Sequence, residues 1–146
     1  MSQNLSIIGD ILFIEEDDNY RAELTEYLSQ LGLNVTPLAS ESHALKHLQN
    51  QPWSWYPAAI ICDIVMVGMG GYELLRRISE TYPKRDIIKV LHSKLNSGTD
   101  ILEGEIAGAH GFIIKPIEPK VLYDGLISIA EKRTTHKGIQ VIGVPA

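Results

Sequence analysis

Asp63 is a single carboxylate within a long apolar stretch of the chain. It lies in the run Ile60–Met66, which reads IICDIVM, and glycines follow at Gly68, Gly70 and Gly71. Runs rich in Ile and Val and bounded by glycine are typical of a strand that is buried on both faces of a parallel sheet. A charged carboxylate is costly there unless it lies at the open end of the strand, the edge at which α/β sheets bind their ligands. Asp63 is therefore the first candidate for chemistry.

Four other polar residues follow apolar runs of the same kind, namely Glu15, Glu16, Ser93 and Lys115. Because parallel strands deliver their carboxyl-end residues to one edge, we expect these side chains to converge on Asp63. Clustered carboxylates attract a hard divalent cation, usually Mg²⁺. Such a cation, the ammonium and the hydroxyl would stabilise a phosphoryl group arriving at an aspartate nucleophile. Taken singly, each residue also has an ordinary explanation as a solvated lysine, a turn serine or acids at a helix N-terminus.

Strands and helices alternate five times along the chain. Apolar runs predict strands near residues 11–14, 58–64, 87–92 and 110–114, and an alternating pattern predicts another at 33–36. A stretch that predicts a helix follows each of them. This alternation predicts an α/β fold with a five-stranded parallel sheet and helices on both faces. Residues 1–10 are expected to form an N-terminal tail, residues 11–133 one domain, and residues 134–146 a C-terminal tail or the start of a linker.

The composition is typical of a soluble globular domain. Hydrophobic residues make up 45% and charged residues 21% of the 146 residues. The net charge of -5 and the lack of a Lys/Arg cluster argue against nucleic-acid binding by this segment. No apolar stretch reaches the length of a membrane span, and residues 1–4 lack the features of a signal peptide, so we expect no membrane partner and a cytoplasmic location. Cys62 is the single cysteine and cannot form an internal disulfide.

Three segments resemble the receiver domain of two-component response regulators. They are the acidic pair at 15–16, residues 63–75 around the family's phosphoacceptor, and residues 107–116, AGAHGFIIKP, at its fifth strand. The resemblance extends from residue 11 to about residue 132. It implies a flavodoxin-like, doubly wound sheet with the strand order 2-1-3-4-5, whose switch point lies between strands one and three.

The resemblance assigns four residues to phosphoryl transfer and switching. Asp63 would be the phosphoacceptor, and Lys115 would pair first with Asp63 and then with its phosphoryl group. Ser93 would be the switch hydroxyl, and Phe112 occupies the position of the switch aromatic residue. Ser93 lies 30 residues after Asp63 and 22 residues before Lys115, as is usual for the family.

The resemblance also implies a Mg²⁺ site. Its ligands would be Glu16, Asp63 and the backbone carbonyl of Val65, with Glu15 assisting through a water. The family usually has aspartate where this chain has Glu16, and the longer side chain is expected to shift or weaken the ion. Lys94 stands where a small residue is usual, so its side chain either turns outward or obstructs the site.

The function implied is a phosphorylation-dependent signalling switch rather than an enzyme acting on other molecules. It would accept a phosphoryl group from a sensor histidine kinase or phosphotransfer protein and hydrolyse it by itself. It would signal through its fourth helix, fifth strand and fifth helix to an output domain or target protein, either as a monomer or as a dimer.

Three alternatives are weaker. A degenerate receiver used as an unphosphorylated docking module is favoured by Glu16 and Lys94. An aspartyl phosphatase would require a second acid at position 65, which is Val65. A flavin-binding protein would require a phosphate loop after the first strand, where this chain has four consecutive acids, residues 15–18.

Overall fold

The computed structural model of the protein describes residues 7–144, in which six strands alternate with five helices. The strands are β1 (Asp10–Ile14), β2 (Asn34–Leu38), β3 (Ala59–Cys62), β4 (Ile88–Ser93), β5 (Gly111–Ile114) and β6 (Gln140–Ile142). The helices are α1 (Asp18–Gln30), α2 (Glu41–Gln49), α3 (Gly70–Thr81), α4 (Gly98–Ile106) and α5 (Pro119–Lys132). Within these residues no helix is both long and apolar enough to cross a membrane.

The strands form one parallel sheet in the order β2-β1-β3-β4-β5-β6. The predicted α/β fold and the order of its first five strands are confirmed. The prediction of only five strands is wrong, because residues 140–142 form β6 beside β5, within the segment expected to be a tail or linker. At the other end, the predicted tail lies partly outside the described residues, since these begin at residue 7. Ile7 is buried and Asp10 already begins β1.

Two apolar layers sandwich the sheet because successive strand residues point to opposite faces. In β1, Leu12 and Ile14 point to one face and Ile11 and Phe13 to the other. The first face is covered mainly by residues of α2 and α3, including Ala44, Leu74, Leu75 and Ile78. The second is covered by α1 and α5, through Leu24, Leu28, Leu122, Leu126 and Ile129. These two layers hold the strands in register, and thereby hold their carboxyl ends at one edge.

The start of α3 approaches the carboxyl end of β3 unusually closely. The Gly71 N–H donates to the Ile64 carbonyl at 2.9 Å. A Cβ atom at Gly71 would lie 2.1 Å from the Asp63 carbonyl oxygen, so a glycine is required for this approach. The Gly-rich segment after β3 thus packs α3 against the backbone that carries Asp63.

Candidate functional site

The structure brings Asp63, Lys115 and Glu15 together at the carboxyl edge of the sheet. The Lys115 ammonium donates to Asp63 Oδ2 at 2.8 Å and to Glu15 Oε1 at 2.5 Å. Side-chain exposures are 17% for Asp63, 12% for Lys115 and 6% for Glu15, so both ion pairs are largely shielded from water. The convergence of these three residues, expected from strand order, is present, whereas the direct Glu15–Lys115 ion pair was not predicted.

Lys115 keeps Asp63 in its anionic form. Burial alone would raise the pKa of Asp63, but hydrogen bonds from Lys115 and Ser93 and the Lys115 charge outweigh it, so the pKa lies below its usual 3.8. Burial would likewise lower the pKa of Lys115, but its bonds to Asp63 and Glu15 raise it above 10.5. At neutral pH the site therefore contains an ionised carboxylate with a fixed ammonium beside it.

Ser93 and Phe112 lie next to this cluster on the strands expected from the sequence. Ser93 ends β4, is buried, and accepts a hydrogen bond from the Leu95 N–H at 3.2 Å; its hydroxyl also helps to lower the pKa of Asp63. Phe112 lies fully buried on β5, opposite Leu91 of β4. The hydroxyl is thus within reach of the carboxylate, and the aromatic ring is part of the core behind it.

The oxygen donors expected to hold Mg²⁺ are present, but they are not gathered around one point. Both carboxylate oxygens of Glu16 lie within 3.2–3.3 Å of the Val67 N–H, and Asp63 Oδ1 accepts from the Val65 N–H at 3.2 Å. In residues 7–144 no three acidic, histidine or cysteine side chains are close enough to hold a metal ion. The chemistry of the donor set fits Mg²⁺, which prefers carboxylate and carbonyl oxygens. Glu16 would have to leave the Val67 amide to take part.

Two residues that the sequence analysis missed, Tyr20 and His92, lie close to Lys115. The Tyr20 hydroxyl and His92 Nε2 are 2.5 Å apart, and His92 Nδ1 lies 2.8 Å from the Ile113 carbonyl oxygen. Lys115 Nζ lies 5.3 Å from the centre of the Tyr20 ring, within cation–π distance. Burial lowers the pKa of His92 to about 4, so the ring is neutral at pH 7. The position of His92 directly before Ser93 is the one sequence signal that could have drawn attention to this pair.

An open cavity of about 490 Å³ leads to the carboxylate of Asp63. Its floor is polar, with Glu15, Asp63 and Lys115, whereas its rim includes Val65 and Lys94. Lys94 is exposed, in keeping with a side chain turned towards solvent. The cavity gives a small solute a direct path to the Asp63 carboxylate.

The family model of the response regulator receiver domain matches residues 11–127, most of the chain. The chain belongs to the response regulator receiver family. Receivers are regulatory domains that typically bind Mg²⁺ in an acidic pocket. In this chain an acidic pocket lies at the edge where Asp63, Glu15 and Lys115 meet.

Curated relatives agree with this assignment. Transcriptional regulatory protein AfsQ1 of Streptomyces coelicolor is 32% identical over 112 residues, covering 77% of this chain and 47% of the relative. Two-component response regulator ORR5 of Oryza sativa subsp. japonica is 31% identical over 109 residues, covering 75% and 79%. The chain spans about half the length of AfsQ1 and of Bacillus subtilis CssR, 47% in each case.

Solved structures share the fold. The signal receiver domain of a Syntrophus aciditrophicus signal transduction histidine kinase is 25% identical, has a TM-score of 0.72, and covers 91% of this chain and 98% of its own. A CheY-like receiver domain protein from Methanospirillum hungatei is 21% identical with a TM-score of 0.74, covering 86% of this chain and 96% of its own. The second likeness shows the fold alone.

Proposed function

We propose that Asp63 accepts a phosphoryl group from a phosphohistidine of a sensor histidine kinase or phosphotransfer protein. The observation that carries this proposal is the shielded ammonium of Lys115, which holds Asp63 ionised and points at its oxygen from 2.8 Å. In the transfer, an Asp63 oxygen forms a bond to phosphorus as the bond from phosphorus to the imidazole nitrogen breaks. Lys115 and the Ser93 hydroxyl then donate to the phosphoryl oxygens.

Glu16, Asp63 and the Val65 carbonyl are the residues that would hold Mg²⁺, with Glu15 assisting through a water. The ion would neutralise charge on the phosphoryl oxygens. Glu15 has a second task, since its bond with Lys115 fixes the ammonium between two carboxylates. When the phosphoryl group arrives, this bond keeps the ammonium close to Asp63.

The response to phosphorylation would run from Ser93 through Phe112 to the surface formed by α4, β5 and α5. Ser93 would turn towards the phosphoryl oxygen. The side chain of Phe112, which pairs with Leu91 of β4 in the sheet, would then move with it. An output domain, a target protein or a second copy would read the changed surface.

An unphosphorylated docking module is the second candidate. The bonds from the Val67 amide to Glu16 favour it, because they engage both oxygens of the expected metal ligand. The two functions differ in whether Asp63 can be phosphorylated at all.

Intact-mass spectrometry distinguishes them. The chain is incubated with acetyl phosphate and Mg²⁺, alongside Asp63→Asn and a sample containing EDTA. The proposal predicts a gain of one phosphoryl group in the wild type with Mg²⁺ and none in the other two. An unchanged wild-type mass would favour the docking module, whereas equal labelling of Asp63→Asn would show that Asp63 is not the acceptor.

A further inference from the structure

Strand β6 occupies the open edge of β5, the centre of the α4–β5–α5 surface. Its register with β5 pairs Gln140 with Gly111 and Val141 with Phe112, and the Gln140 N–H donates to the His110 carbonyl at 3.0 Å. The segment after α5 thus returns to the sheet and covers the edge that a partner would use.

Contacts with α5 hold one side of β6. The Gln140 amide donates to the Ile129 carbonyl at 3.2 Å, and its carbonyl accepts from the Ser128 hydroxyl at 3.3 Å. Ile142 lies so close to Gly125 that a Cβ there would be 2.7 Å from Ile142 Cγ2. The packing of β6 against α5 therefore requires a glycine at position 125, in the middle of the helix.

Contacts with α4 hold the other side. The Ile139 N–H donates to Glu105 Oε2 at 2.8 Å. Side-chain atoms of Ile139 and Phe112 both lie 3.7 Å from the Cβ position of Gly104, on the inner face of α4. Ile139 therefore packs in the same small space as the aromatic residue behind the phosphorylation site.

We propose that residues 139–143 form an intramolecular strap over the α4–β5–α5 surface, and that phosphorylation of Asp63 loosens it. The inference rests on the proposed function. A partner that binds by adding a strand to β5 would have to displace β6, so the strap keeps such a partner off the unphosphorylated chain. Phosphorylation would then control access to the surface as well as its shape.

The direction follows from packing. Ser93 pairs with Ile114 and Leu91 with Phe112, so a shift at the end of β4 reaches β5 directly. Close-packed interiors have little free volume to absorb such a shift, and a displaced Phe112 must move its neighbours. Strand β6 has only three residues and lies at the sheet edge, so it has the least local stability among these neighbours and yields first.

Hydrogen–deuterium exchange on the full chain tests the strap, with intact mass recorded on the same samples. We expect amides of residues 139–143 to exchange roughly 5- to 150-fold faster in phosphorylated protein, the usual range of coupling between sites. If Asp63 is labelled and this exchange is unchanged or slower, the strap inference is wrong while the proposed function stands. If no label is taken up, the proposed function fails and the strap inference falls with it.

Gly125→Ala tests the same coupling by loosening β6 in the unphosphorylated protein. The new Cβ crowds Ile142, so β6 should exchange faster without phosphorylation, whereas Gly98→Ala, whose Cβ meets nothing within 4 Å, should not change it. Because coupling between binding equilibria is reciprocal, Gly125→Ala should also bind the phosphoryl mimic beryllofluoride, with Mg²⁺ present, more tightly than the wild type. Faster exchange of β6 with unchanged or weaker beryllofluoride binding would overturn the inference, as would unchanged exchange.

Discussion

Replacing Lys115 with methionine should destabilise the fold, because two largely buried carboxylates would lose their shared cation. Lys115 bonds Glu15 at 2.5 Å and Asp63 at 2.8 Å, and no more than 17% of any of the three side chains is exposed. Breaking a buried ion pair by removing one partner costs about 3–5 kcal/mol, and the partial exposure of Asp63 places our estimate at about 3 kcal/mol. This is a large share of a typical domain stability of about 5–15 kcal/mol.

The loss of stability in Lys115→Met should be larger at neutral pH than at acidic pH. In the wild type the pKa of Asp63 is lowered, so its ionised form contributes stability above the unfolded value near 3.8, and that contribution is lost as pH falls through the folded value. In Lys115→Met the bond and the charge of Lys115 are gone, so only the Ser93 and Val65 hydrogen bonds still lower the pKa of Asp63, and we expect burial, the largest influence on this group, to raise it. A raised carboxyl pKa penalises the fold at neutral pH, and the penalty shrinks as pH falls through the raised value towards about 4.

Urea unfolding of both proteins near pH 7 and near pH 5, with EDTA present, measures the difference. We expect the gap in the free energy of unfolding to be about 3 kcal/mol near pH 7 and clearly smaller near pH 5. Lys120→Met is the matched control, since the Lys120–Asp124 pair on α5 is exposed and its loss should change little. A gap below about 1 kcal/mol, or one that does not narrow on acidification, would refute the reasoning.

Three further outcomes are expected. Glu16→Asp should bind Mg²⁺ more tightly in calorimetric titration, because Mg²⁺ tolerates little displacement of its ligands; equal or weaker binding would argue against a misfit at this position. Val65→Asn should shorten the phosphoryl lifetime by about tenfold, since a polar side chain at the cavity rim can hold the attacking water where Val65 and Leu95 cannot. The decay of phosphorylated protein after donor removal measures the lifetime. Unchanged or slower decay would count against this prediction. Tyr20→Phe should lower the free energy of unfolding by about 1–3 kcal/mol, because it leaves buried His92 Nε2 without its hydroxyl partner; urea unfolding that matches the wild type would show that the Tyr20 bond contributes nothing.

The first five strands could be predicted because four are apolar runs and β2 shows an alternating pattern, signals that can be recognised locally. Ile11–Ile14 and Ile60–Cys62 lie buried on both faces of the sheet, and their composition reflects it. Strand β6 has three residues, one of them Gln140, and follows a polar segment. What stabilises it is tertiary contact with Gly125 and Ile129, which no local pattern records.

The meeting of Asp63, Glu15 and Lys115 could be predicted because strand order alone brings these residues to one edge. The bonds among these residues could not be predicted, since side-chain geometry decides them. Glu15 bonds Lys115, whereas Glu16 bonds the Val67 amide. Tyr20 was missed for a similar reason: helix α1 places it beside His92, a residue 72 positions away in the chain.

Borohydride trapping tests the central claim most directly. Borohydride reduces an aspartyl phosphate to homoserine, so the full chain is treated with acetyl phosphate and Mg²⁺, reduced, digested and mapped by tandem mass spectrometry. The account predicts homoserine at position 63 and unchanged carboxylates at Glu15 and Glu16. Intact aspartate at position 63, or reduction at another acidic residue, would contradict it.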